Sequence, residues 1–296
     1  MPRTEKENHE ADTAADGRYF RFLHGSTVEI IRDARPVEPP SHALFDFDGT
    51  VSLIREGWQD IMVPLMVELL AETGTGETVE ELTAVVSEYV ERLTGEQTIY
   101  QMIRLAEEIR KRGGTPREPL YYKRLYHERL IGSIHDRREG LRSGRIEPKA
   151  MIVPGVDKAL ALLRDRGVVL YLASGTDEPY VIEEARLLGL DTCFGEHIYG
   201  ARDDYRTFSK ELVIRRILEL NGVGGASLIG FGDGYVEIAN VKGAGGMAVG
   251  VASDEKGRSG RPDEWKRARL IGAGADVIIP DFCDCEVLFD YIWIER

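Results

Sequence analysis

After Pro154–Gly155 the chain settles into an alternation that few folds can satisfy. Val156–Arg166 is amphipathic, Val168–Ala173 reads as a strand ending at Ser174–Gly175, and a helix runs through Glu183–Leu188. A short strand near His197–Tyr199 precedes a helix from about Ser209 to Leu220. Apolar runs at Ser227–Gly232, Met247–Val251 and Ala275–Pro280 complete the pattern. Repeated strand–helix units imply a parallel sheet covered on both faces. One further strand stands apart: His42–Asp48 is a short apolar run ending in carboxylates and glycine, just after the Pro-rich linker Pro36–Pro40.

Between these blocks the chain is helical. Thr78 and Glu81 form a capping box ahead of Leu82, Val85, Val86, Tyr89, Val90 and Leu93 at helical spacing. Ile99, Met102, Ile103, Ala106 and Ile109 repeat the pattern until Gly113–Pro116 ends it, and another helix surrounds Tyr122–Ile131. No strand is expected between Ser52 and Lys149. The simplest architecture is one α/β core, residues 41–53 plus 150–296, interrupted after its first strand by a helical cap over 54–149. Residues 1–40 are an N-terminal tail and arm. Within them 1–18 reads as a mobile tail, and Tyr19–Leu23 with Thr27–Ile31 as an edge strand or packed arm.

Composition limits the partners. The net charge of −13 argues against duplex nucleic acid, whose binding needs a basic surface, but admits a small phosphorylated ligand. An apolar fraction of 43% excludes wholesale disorder. Cys193, Cys283 and Cys285 make no disulfide framework, the first eighteen residues hold no apolar signal core, and Ile61–Leu70 is broken by Pro64 and Glu68. A cytoplasmic protein with no membrane partner is expected.

The chemistry gathers at strand ends. Asp46 and Asp48, two apart, leave the same side of the chain outside the carboxyl end of a parallel sheet, where such folds bind ligands. They repel unless a cation lies between them or one holds a proton. An Asp-x-Asp alone would read as a strand-ending turn. Ser174-Gly175-Thr176 ends a second strand, however, Asp233 ends a third with Glu237 one helical turn later, and Lys210 opens a helix between them. Together they would make a metal–phosphate cradle. Gly230-x-Gly232-x-Gly234 ends in a carboxylate and opens no dinucleotide turn, and Cys283-x-Cys285 lacks the partners of a zinc site.

These segments carry a family likeness. Phe45-Asp46-Phe47-Asp48-Gly49-Thr50, Leu172-Ala173-Ser174-Gly175-Thr176, Lys210 and Gly232-Asp233-Gly234-Tyr235-Val236-Glu237-Ile238 resemble, in order, the four motifs of the haloacid dehalogenase superfamily of aspartate-nucleophile phosphotransferases. The stretch Gly245–Val251 is also similar to that family, and the helical insertion matches the cap of many members in position. The resemblance implies a Rossmann-like parallel-sheet core with helices on both faces and an inserted all-helical cap. It implies Asp46 as the nucleophile forming an aspartyl-phosphate, Asp48 as general acid/base and Lys210 as the cation neutralising nucleophile and phosphate. Phosphate binding falls to Thr50, Ser174 and Gly175. Mg²⁺ would be held by Asp46, the Asp48 carbonyl and Asp233, with Glu237, where many members have Asp, reaching the metal or its water shell.

Arg55, at the hinge into the cap, is a candidate for an anionic substrate, and Trp58 for a sugar face or lid; hinge packing is the alternative for both. The expected activity is a Mg²⁺-dependent phosphatase acting on a small phosphorylated metabolite, a sugar phosphate or a phosphoglycolate-like acid. A sugar phosphomutase and a catalytically silent binding domain remain alternatives, and the apolar positions of the cap leave a homodimer open. Residues 61–100 hold eight acids and one base, whereas 104–149 hold thirteen bases and seven acids, a basic half-cap expected to draw in a phosphorylated substrate.

Overall fold

In the computed structural model, which describes residues 12–13 and 19–293, nine strands form one sheet. They are β1 (Asp12–Thr13), β2 (Tyr19–Phe22), β3 (Glu29–Ile30), β4 (His42–Phe45), β5 (Val169–Asp177), β6 (Ile198–Ala201), β7 (Leu228–Gly232), β8 (Met247–Val251) and β9 (Val277–Ile279). Their order is β1-β2-β3-β9-β8-β7-β4-β5-β6, and β4 through β9 pair in parallel. β4 lies between β5 and β7, so the winding reverses direction around it and opens a crevice beyond its carboxyl end. Every residue of β4 is buried because both of its faces are covered. Ala43 and Phe45 enter the larger apolar cluster, which holds Leu160 of α6 (Val156–Asp165) and Phe289 of α12 (Cys285–Trp293); Leu44 enters the other, with Ile214 of α9 (Lys210–Asn221) and Val241 of α10 (Tyr235–Gly243).

The insertion is five helices: α1 (Gln59–Ala71), α2 (Val79–Arg92), α3 (Thr98–Lys111), α4 (Pro119–Ser133) and α5 (His135–Arg142). The Thr78–Glu81 capping box is complete, the threonine hydroxyl accepting from Glu81 N–H at 3.2 Å and the glutamate from Thr78 N–H at 2.8 Å. The two crossing segments pair with each other, Leu53 N–H to the Met151 carbonyl at 2.9 Å and Val153 N–H to Val51 at 3.0 Å. Cap and core thus meet across a hydrogen-bonded ribbon, and their apolar residues share one cluster, from Leu65 and Leu105 to Phe45.

Several elements differ from the sequence expectations. β5 does not stop at Ala173; its register with β6 breaks there and resumes at Asp177, which pairs with Ala201, so Ser174–Thr176 lies within an irregular strand. The helix expected from about Ser209 is present as Lys210–Asn221, with Ser209 as its N-cap, its hydroxyl accepting from Leu212 N–H at 3.1 Å. α7 (Glu178–Leu187), α8 (Asp191–Phe194) and α11 (Glu264–Ala273) complete the helices, and α8, α11 and α12 were not foreseen. The mobile tail expected over 1–18 falls mostly outside the described residues, but Asp12–Thr13 pairs with β2. The arm adds β3 antiparallel to β9, where the buried Glu29 takes Arg267, so an exposed parallel edge is covered.

Much of the basic half-cap is engaged in ion pairs. Arg104, Lys111 and Arg112 converge on Glu108, Arg112 also on Glu77, Arg129 on Glu68, and Arg138 and Arg142 on Glu183. Glu108 of the same half, Glu68 and Glu77 of the other half and Glu183 of the core thus answer these bases locally. Among the described residues no helix is long and apolar enough to cross a membrane.

Phe45 stacks on Phe231 of β7 with ring centroids 4.6 Å apart and is fully buried. Phe45→Ala is expected to lower the unfolding free energy by about 3–5 kcal/mol, measured by chemical denaturation.

Candidate active site

β4 delivers Asp46 to the crevice, and Gly49, with φ of 77°, turns the chain away. A Cβ on Gly49 would collide with the Asp233 carboxylate, so the loop after β4 and the end of β7 approach as closely as a glycine allows. Lys210 Nζ donates to Asp46 Oδ1 at 2.7 Å and pairs on its other side with Glu237. A lysine in the first turn of a helix opposes the helix dipole. Asp46 and Glu237 supply the compensating charge, and the ammonium is buried between them.

Asp48 is held on one oxygen only. The hydroxyls of Ser174 and Thr176 donate to its Oδ2 at 3.2 and 2.8 Å, while Oδ1 is buried without a hydrogen-bond partner. Arg55 Nε lies 3.8 Å from that oxygen, but its guanidinium makes a bidentate pair with the buried Glu184, at 3.0 and 2.9 Å. Arg55 therefore lines the cleft as a group already committed to a carboxylate.

Lys266 of α11, which opens a Lys-Arg-Ala-Arg run, was missed in the sequence. Its Nζ donates to Asp233 at 2.7 Å, to Glu255 at 2.6 Å and to the Ser253 hydroxyl at 3.0 Å, and Ser253 in turn donates to the Gly49 carbonyl at 2.6 Å. Burial works against its charge, but Asp233 and Glu255 hold the ammonium above its ordinary value. No local spacing signals this residue, because the loop after β8 and α11 meet the crevice only when the sheet is assembled.

Among the sequence candidates, Asp46, Asp48, Arg55, Ser174, Gly175, Lys210 and Asp233 all border one cleft of about 90 Å³. Thr50 and Glu237 do not. Thr50 is fully buried and its hydroxyl has no hydrogen-bond partner; Glu237, expected at a metal, faces Lys210. The cap closes the cleft with Trp58, Met62, Glu96, Thr98, Gln101 and Tyr126. Its loop between α2 and α3 is clasped to the core: the Gln97 amide donates to the carbonyls of Tyr205 and Phe208 at 3.1 and 2.7 Å. Lys123 and His127 of α4 reach Asp177 beside it.

Six carboxylates, Asp46, Asp48, Glu184, Asp233, Glu237 and Glu255, thus meet three cations, Arg55, Lys210 and Lys266. Burial pushes the Asp46 carboxyl up to about 7; Lys210 pulls it down, and the charges of Asp233 and Asp48 push it further up. This surplus of hard oxygen donors suits a divalent cation such as Mg²⁺. Among the described residues no three His, Cys, Asp or Glu side chains make a ligand set by themselves.

A family model of haloacid dehalogenase-like hydrolases matches residues 40–245, from the linker before β4 to the end of α10. The chain belongs to this family. No curated protein sequence matches it. Among solved structures, a conserved haloacid dehalogenase-like protein of unknown function from Agrobacterium tumefaciens is 20% identical, with a TM-score of 0.54 over 84% of this chain and 97% of that one. A predicted phosphatase from Clostridium acetobutylicum is 17% identical, with a TM-score of 0.55 over 86% and 98%. A predicted phosphoglycolate phosphatase from Haemophilus somnus is 16% identical, with a TM-score of 0.54 over 84% and 97%. At these identities the likeness is one of fold, and the hydrolase shares it along nearly the whole of each neighbour.

An acid whose pKa is raised on folding, here from 3.8 to about 7, binds its proton more tightly in the folded chain. Its contribution is favourable below the unfolded value and is lost as pH climbs through the folded one, with a slope on the order of 1 kcal/mol per pH unit. In chelator, the stability advantage of Asp46→Asn over the parent chain is therefore expected to widen between pH 4 and 7. Denaturation midpoints of both proteins across that range measure it, and a constant gap would count against the buried charge.

Proposed function

We propose that this hydrolase is a Mg²⁺-dependent phosphatase acting on a small phosphorylated metabolite through an aspartyl-phosphate on Asp46. The observation that carries this reading is the division of labour between two neighbouring carboxylates. Asp46 is fixed by an ammonium, and Asp48 is fixed by two hydroxyls through one oxygen while the other has no hydrogen-bond partner. A group anchored on one oxygen and unsatisfied on the other is oriented for proton transfer. A carboxylate with a cation against it is oriented as a nucleophile whose charge is balanced while phosphorus approaches.

In the first half-reaction an Asp46 oxygen attacks phosphorus, the bond from phosphorus to the leaving oxygen breaks, and Asp48 gives that oxygen its proton. In the second, water attacks phosphorus, Asp48 takes the proton of the water, and the Asp46 carboxylate is released. Ser174 and Thr176 keep Asp48 in place through both halves. Lys210 balances Asp46, and Glu237 keeps Lys210 from swinging away. Asp46, Asp233 and the Asp48 carbonyl would hold Mg²⁺, which supplies positive charge as negative charge spreads over the transferring oxygens. Ser174 and Gly175 line the same cleft and would bind the phosphoryl oxygens.

Asp46→Asn is expected to abolish release of inorganic phosphate while leaving the circular dichroism spectrum unchanged. Chelation of Mg²⁺ should do the same to the parent chain, reversibly. Undiminished phosphate release by the variant would overturn the assignment.

A further inference from the structure

Resting on the reading of Asp233 as a Mg²⁺ ligand, we propose that Lys266 sets the ion selectivity of the site. By taking one oxygen of Asp233 and one of Glu255, it shifts the preference of the cleft away from Ca²⁺ and toward Mg²⁺. Lys266 lies on α11, 33 residues beyond Asp233 in the chain. Its ammonium donates to Asp233 Oδ2 at 2.7 Å, to Glu255 Oε1 at 2.6 Å and to the Ser253 hydroxyl at 3.0 Å, which engages all three of its protons. Only 13% of the side chain is exposed. Its backbone is fixed as well, because Lys266 N–H donates to the N-cap Asp263 at 2.9 Å and Asp263 N–H to the Ala252 carbonyl at 2.8 Å. Asp233 and Glu255 line the cleft and Lys266 does not, so the lysine acts on a bound cation through these two carboxylates.

The same two oxygens are confined from the other side. A Cβ on Gly49 would lie 2.2 Å from Asp233 Oδ2 and 3.0 Å from Glu255 Oε1, so the loop after β4 closes against the atoms that the lysine holds. Ser253 joins the two constraints, since its hydroxyl donates to the Gly49 carbonyl at 2.6 Å. Asp233 Oδ2 therefore cannot turn away from Lys266 unless one of these loops moves. A carboxylate with one oxygen held by an ammonium offers a metal the other oxygen alone. Mg²⁺ is content with single oxygens and keeps several waters, whereas the larger Ca²⁺ gathers about six to eight oxygens and readily takes both from one carboxylate. A lysine placed against a metal ligand lowers the affinity for every cation by its charge. It lowers that for Ca²⁺ further by withholding the second oxygen. Lys266 touches no reacting atom, and its role is to position Asp233.

The test reads apparent dissociation constants for MgCl₂ and CaCl₂ from the rise of the thermal unfolding midpoint with each ion, on chain freed of metal by chelator. Lys266→Met is expected to tighten Ca²⁺ by about thirty-fold and Mg²⁺ by about three-fold, a ten-fold change in their ratio. Lost packing alone would move both ions alike. The double variant Glu255→Gln with Lys266→Met removes one charge of each sign and so spares the fold an unpaired carboxylate. It is expected to keep a shift toward Ca²⁺ of about five-fold, because Asp233 still gains a free oxygen. A ratio unmoved or moved toward Mg²⁺ in either variant, or a parent chain whose midpoint responds to neither ion, would overturn the inference. Phosphate release from p-nitrophenyl phosphate in MgCl₂ judges the phosphatase reading separately. A parent chain that releases none, but whose ion ratio shifts with Lys266→Met, overturns that reading and supports this one.

Discussion

Lys210 stands between Asp46 and Glu237, and the character of the site follows from how much negative charge that ammonium leaves unanswered. Lys266 meets Asp233 and Glu255, Arg55 meets Glu184, and still the carboxylates outnumber the cations. Buried charge of one sign is expensive, and a protein keeps it only where a proton, a metal or a ligand completes the balance. Burial above all, and then the charges of Asp233 and Asp48, raise the pKa of Asp46 in spite of Lys210. Local rules are broken to sustain it: a lysine opens α9 against the helix dipole, and a glycine after Asp48 takes a left-handed turn so that Asp233 can come close.

The sheet supplies the rigidity such a site needs. Asp46, the Ser174–Thr176 segment and Asp233 extend from three adjacent parallel strands, whose spacing is set by backbone hydrogen bonds and whose faces are packed by Phe45, Phe231 and Leu44. The cap contributes differently. Its helices are bound internally by ion pairs and to the core by Gln97, Lys123 and His127, so the groups it turns toward the cleft are presented on a docked surface.

Much of this was legible in the chain. Strands of four or five apolar residues flanked by helical periodicity identified the parallel core, and the capping box at Thr78 marked α2, because both signals are local. The register break within β5 was not legible, since it depends on how Asp177 meets Ala201 across the sheet. Nor was the partner of Glu237, since only packing shows that it meets Lys210.

The order and chemical type of the candidate site residues, Asp46, Asp48, Ser174, Lys210 and Asp233, were set by the linear chain, because motif spacing and strand ends are properties of neighbours in sequence. Their pairings were decided by tertiary contact. Lys266, Glu255 and Glu184 lie far along the chain from Asp46, and the basic residues of the cap look free until their acids are seen beside them. Charge in a sequence is only a sum. In the folded chain its effect depends on distance and burial, and those exist only once β4 has β5 and β7 at its sides and the cap above it.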